Sequence, residues 1–231
     1  MKKTVLIILL LMCISFGYAQ QFEIKGSAKY GYNYTYEHFG TFDVLGSYNH
    51  KDFFAVTAGF QANTANLYSG TMELSTKFTI KKGYFKLTNK YVYTALARNK
   101  LNQIGMGLFC TYYYNHISVG LGHHVRLFSE MGTPTMYDSY RFIIEPFNVI
   151  YLLEVSAMKM DSKWNVGLSF SNLDDFEMER FHQMHYKLFG YYSFNEKLKL
   201  WAKFGYKPAG VFNIAVNYWG LDTQIGVNYK F

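Results

Sequence analysis

The 231-residue chain is half hydrophobic and one-fifth aromatic, with three prolines and a formal charge of +7. Soluble domains rarely carry so many aromatics, yet mean hydropathy is near neutral, and beyond residue 19 no apolar run reaches the roughly 20 residues a spanning helix needs. A helical membrane bundle is therefore excluded, and the composition fits a chain in which apolar and polar residues alternate.

The amino terminus has the basic pair Lys2 and Lys3, an apolar run over 5–16 and the small-residue ending Gly17-Tyr18-Ala19. This pattern predicts a secretory signal peptide over 1–19, cleaved near Ala19 after Sec-type export. Cys13 follows Leu10-Leu11-Met12, which lacks the small residue that lipoprotein processing requires. Residues 20–231 then form one domain of charge +5 with a single cysteine, Cys110, so no intramolecular disulfide is expected. Met106, Leu108 and Tyr112 share its face, which predicts an inert, lipid-facing thiol.

Period-two alternation begins at once. Phe22, Ile24, Gly26, Ala28, Tyr30, Tyr32, Tyr34 and Tyr36 oppose Glu23, Lys25, Ser27, Lys29 and Asn33, and the tyrosines gather at one end as an interfacial girdle does. After a turn placed near 37–40, a second strand carries Phe42, Val44, Gly46 and Tyr48. Further strands are read from Phe54 to Ala62, Met72 to Ile80, Phe85 to Tyr93, Ile104 to Tyr112 and Ile117 to Leu127, joined by short polar turns at 49–52, 81–83 and 115–116. A longer loop spans 129–138.

Over 139–160 the parity slips: Tyr140, Phe142 and Ile144 are out of phase with Tyr151, Leu153, Val155 and Ala157. A bulge at Pro146 reconciles them in one strand, since proline cannot donate to a ladder and a bulge shifts register by one. The rival reading makes 145–148 a hairpin turn. Trp164 to Phe170, Leu188 to Phe194 and Leu198 to Tyr206 follow, with a highly charged loop over 172–183 and another loop near 207–213.

The closing stretch, 216–231, places Trp219, Leu221, Thr223, Ile225, Val227, Tyr229 and Phe231 on one face against Asp222, Gln224, Asn228 and Lys230. This ending resembles the carboxyl-terminal signature of Gram-negative outer-membrane β-barrel proteins. The resemblance implies an all-β, closed antiparallel transmembrane barrel in the cell outer membrane. It also implies contact with membrane lipid and lipopolysaccharide, and insertion by the barrel-assembly machinery. Both termini of such a barrel lie on the periplasmic side, so the strand count is even. One strand over 139–160 gives twelve, the count expected because it puts both long loops outside; the alternative, splitting it with a second split near Tyr218, gives fourteen and puts the most charged loop in the periplasm.

The same alternation names the lumen lining: Lys25, Lys29, Glu73, Lys77, Lys86, His124, Arg126, Glu154, Lys187, Lys199, Lys203, Lys207, Asp222 and Lys230, with Glu23 and Lys90. Closure brings the lysines of the last three strands and the first together as a basic sector, which concentrates anions. Gly120 and Gly122 leave room beside His124 and Arg126. A narrow pore for passive diffusion of small, preferentially anionic solutes is the leading functional reading. The alternatives are a closed structural or surface-binding barrel and a lipid-modifying hydrolase.

The hydrolase reading rests on His116-Ile117-Ser118, whose His-x-Ser spacing resembles that of outer-membrane phospholipase A and lipid A deacylases. The asparagine that follows the serine in those families is missing, and the paired acidic and Asp-x-His arrangement of omptin proteases is absent too. No catalytic residue is assigned. Glu177, Glu179, His182 and His185 match no strong metal spacing, so neither metal nor cofactor is expected. Nothing suggests a nucleic-acid partner.

Overall fold

The computed structural model describes residues 22–33, 37–50, 53–64, 67–80, 82–96, 101–130, 142–159, 162–172, 184–207 and 220–231. Within them lie twelve strands: β1 (Phe22–Asn33), β2 (Glu37–His50), β3 (Phe54–Asn63), β4 (Leu67–Ile80), β5 (Gly83–Leu96), β6 (Leu101–Tyr114), β7 (Ile117–Glu130), β8 (Phe142–Ser156), β9 (Trp164–Ser171), β10 (His185–Ser193), β11 (Leu198–Lys207) and β12 (Gly220–Lys230). Each pairs antiparallel with its chain neighbours, and β1 pairs with β12 from Glu23↔Lys230 to Asn33↔Gly220, closing the barrel. Closure leaves no sheet edge, which is what a strand structure in lipid requires.

The wall follows from alternation. Ile24, Tyr30, Phe42, Val44, Leu121, Leu168, Leu188 and Ile225 are among the outward residues, and Leu121 is 63% exposed. Cys110 is exposed in the same way. Inward positions are mostly small, polar or charged, with a few large apolar residues such as Phe109, Ile150 and Leu152 among them, and most are shielded. An exterior of exposed apolar side chains around a polar interior is the pattern of a membrane barrel, where acyl chains solvate the outside.

β8 is continuous through Pro146. Its pairing with β7 changes register between His124 and Arg126, where Pro146 and Phe147 oppose the single residue Val125. The bulge, not a hairpin, resolves the parity slip, and twelve strands result. At 37–40 the structure differs from the sequence reading. Gly31↔Phe39 and Tyr32↔His38 are ladder pairs, so these residues belong to β2 rather than to a turn. Ladder pairing with β1 outweighs the local turn signal of Gly40.

Short connections join the strands at the end that holds Phe22 and Phe231. At the tightest, Asn115 takes φ 47°, a left-handed conformation that asparagine tolerates better than most residues. Asn195 Oδ1 accepts the Lys197 and Leu198 amides at 2.9 and 2.8 Å in another. Phe231 donates its amide to Phe22 O at 3.0 Å and its ring lies 5.7 Å from that of Phe22, so pairing continues to the last residue. The signal segment 1–19, Cys13, most of the 129–138 loop, nearly all of the charged loop and the split near Tyr218 lie outside the described residues.

Candidate functional site

The interior divides into two unlike halves. In the arc from β6 to β9, strands β6 to β8 turn large side chains inward: Phe109, Ile150 and Leu152 form a buried apolar cluster, and Gln103, His124 and Arg126 are fully buried on the same side. Strands β1 to β5 with β10 to β12 turn inward mainly serine, threonine and lysine, and these surround a cavity of about 570 Å³.

Seven lysines line this cavity, Lys25, Lys29, Lys86, Lys90, Lys187, Lys199 and Lys203, against four carboxylates, Glu23, Asp43, Glu73 and Asp222. The strand register explains the clustering. Lys25 and Lys199 both flank Asn228, and Lys29 and Lys203 both flank Gln224, so the lysines of β1 and β11 stand on either side of β12 at matching levels. Local pairs offset part of the charge: Lys25 lies 3.9 Å from Glu23 and Lys86 3.5 Å from Glu73.

Across the closing seam, Gln224 Nε2 donates to Ser27 Oγ at 2.9 Å and to Asp43 Oδ2 at 3.1 Å, and the Ser27 hydroxyl donates to Asp43. The network ties β12, β1 and β2 together and engages Asp43 at the level of Ser27, between those of Lys25 and Lys29. On the far side of the seam His185 Nε2 sits 3.4 Å from Asp222 Oδ2, which itself lies over Gly205.

Of the other inward residues expected from the sequence, Lys77 places its ammonium 4.3 Å from the Tyr84 ring centroid, and Glu154 accepts a hydrogen bond of 2.9 Å from Ser118. Lys207 pairs with Gly220 at the upper end of β11, while Lys230 is exposed at the lower end of β12. His124 and Arg126 stand in the packed half, away from the cavity. The space beside Gly120 and Gly122 is not left for them. A Cβ on Gly120 would meet Phe109 Cζ at 2.3 Å, so the Phe109 ring fills it.

The His116 and Ser118 side chains have separate partners. Ser118 is fully buried and donates to Glu154, whereas His116 Nδ1 lies 3.2 Å from the Ser156 carbonyl oxygen. No group of three or more metal-type side chains comes together among the described residues, and His185 is the first residue of β10 instead of a loop ligand.

Sequence reasoning passed over three inward aromatics, Phe189, Tyr191 and Trp201, all on the cavity wall. The available signal was parity, since each stands opposite in phase to the outward Tyr192 and Leu200. Lys199 Nζ is 4.1 Å from the Tyr191 ring centroid and Lys203 Nζ 5.1 Å from that of Trp201.

No protein-family model and no curated protein sequence matches the chain. Among solved structures the barrel is similar to the KdgM porin in complex with disordered oligogalacturonate, with TM-score 0.58 and 8% identity over 90% of this chain and 99% of that one. It is similar to the translocator domain of the autotransporter NalP from Neisseria meningitidis, with TM-score 0.57 and 15% identity over 91% and 88%. The NanC porin gives TM-score 0.53 and 12% identity over 89% and 100%. The fold is that of Gram-negative outer-membrane β-barrels. Porins and a translocator domain share it, so the fold leaves the chemistry of the lumen to specify the task.

Proposed function

We propose that the chain is exported, cleaved near Ala19 and inserted in the outer membrane among lipid and lipopolysaccharide by the barrel-assembly machinery. There it forms a narrow passage for small anionic solutes. The observation that carries this reading is the cavity lining of seven lysines against four carboxylates. Enclosed between low-dielectric walls, such an excess raises the local concentration of anions and lowers that of cations. The likeness to porins, one of them solved with the anionic oligogalacturonate, supports the same reading.

The packed β6–β9 half makes the passage narrower than the strand number alone implies. The test is single-channel recording of the refolded barrel in a planar bilayer, with the reversal potential taken under a salt gradient. Anion-selective steps are expected, shifting towards cation selectivity in the double variant Lys199→Glu/Lys203→Glu. Electrical silence from protein shown to be folded and inserted would overturn the proposal.

A further inference from the structure

On β11 the inward positions Lys199, Trp201 and Lys203 follow one another at two-residue spacing, about 6.8 Å per step along a strand. The indole of the residue between the two lysines packs against the wall. Its cross-strand partner is Gly226, where a Cβ would fall 2.3 Å from Cζ2 and 2.4 Å from Cε2. Only a residue without a side chain lets the ring occupy that place. Nε1–H donates to Asn228 Oδ1 at 2.9 Å, which fixes the ring in its plane. Tyr191 pairs with Trp201 across β10 and β11, so two aromatic rings stand side by side, each with a lysine ammonium over it.

Resting on the pore reading, we infer that this wall is a selective site for carboxylates borne on a six-membered ring, with Trp201 as its specificity-determining residue. A compact anion engages the ammonium groups alone and makes no use of the rings. The electron-rich face of an indole repels an anion placed directly over it but accepts the C–H face of a saturated ring. A solute carrying both parts therefore sets its carboxylate on Lys199 or Lys203 and its ring on Trp201. The lysine stems are long and flexible, so an ammonium drawn to the carboxylate clears the ring face beneath it.

The probes are glucuronate, cyclohexanecarboxylate and open-chain gluconate, which has the same carbon count and charge as glucuronate but no ring. Binding to the refolded barrel in detergent is read by saturation-transfer NMR on the probe protons, a measurement that does not depend on conduction. Either ring acid is expected to bind roughly threefold to tenfold more tightly than gluconate. A preference for glucuronate identifies a sugar acid as the solute, and one for cyclohexanecarboxylate identifies an apolar ring acid. Trp201→Ala should bring ring acids and gluconate together, Trp201→Phe should restore part of the difference, and chloride reversal potential should be unchanged in both. Equal binding of all three probes to the native barrel overturns the inference, whereas loss of anion-selective conductance overturns the pore reading instead.

Discussion

Two arcs of one wall, built by the same alternation, have interiors that differ in side-chain volume. In β6–β9 the inward set includes Phe109, Ile150, Leu152, Gln103, His124 and Arg126, large groups buried against their own arc, with Phe109, Ile150 and Leu152 in one apolar cluster. In β2–β4 it is chiefly Ser47, Thr57, Ser69, Thr71 and Ser75, whose hydroxyls bond sideways, as Ser47 does to Thr57 at 2.9 Å. Those side chains lie along the wall and cannot reach the axis, and the space they leave is bordered by long lysines. Bore size therefore depends on which residues fill one arc as well as on the number of strands.

The largest expected effect comes from emptying the packed arc. Phe109→Ala removes the ring at the centre of the apolar cluster and should destabilise the barrel by about 3–5 kcal/mol, measured by urea unfolding of refolded protein. Single-channel conductance should rise in the same variant. If conductance stays at the native value, the packed arc is not what narrows the passage, and the comparison between the arcs fails.

The open arc is tested by screening. Charges in contact with lumen water act over about 10 Å at 0.1 M salt and about 3 Å at 1 M. With the gradient ratio held constant, the anion-selective reversal potential should shrink markedly between those concentrations. Selectivity that survives molar salt would point to steric or hydrogen-bonding discrimination instead of the lysine excess.

The seam beside that arc gives a smaller change. Gln224→Ala removes two donors, one of them to the Asp43 carboxylate, and should cost about 2 kcal/mol. Faster hydrogen exchange confined to the β1 and β12 amides would mark the seam as the place of weakening. Exchange that rises uniformly around the barrel would show that these contacts do not act locally.

Much of this architecture was legible in the sequence because a barrel wall has only two faces. Residues such as Phe42, Val44, Leu121 and Ile225 declare the lipid side by alternation, and the slip at Pro146 shows as a change of phase beside a residue that cannot donate. Gaps in the reading arose where the decisive partner lies on another strand. Gly226 looks like any strand glycine until register sets it opposite Trp201. His185 follows a charged loop in the chain and faces Asp222 only once β10, β11 and β12 pair in register. Phe109 filling the room of Gly120 likewise needs the β6–β7 register, which no single strand contains.

The smallest effect concerns Ser118. Its hydroxyl is fully buried at the lower end of the packed arc and donates to Glu154, a carboxylate that is partly exposed and so able to recruit water in exchange. Ser118→Ala should therefore cost only about 1 kcal/mol, towards the lower end for a charge-assisted bond, and should leave anion selectivity unchanged. A hydrolase needs this oxygen as a nucleophile on the base beside it, yet the His116 ring nitrogen is directed to a backbone carbonyl. Any release of fatty acid from mixed phospholipid micelles that disappears in Ser118→Ala while the barrel stays folded would reverse this assignment and move the chemistry from the open arc to the packed one.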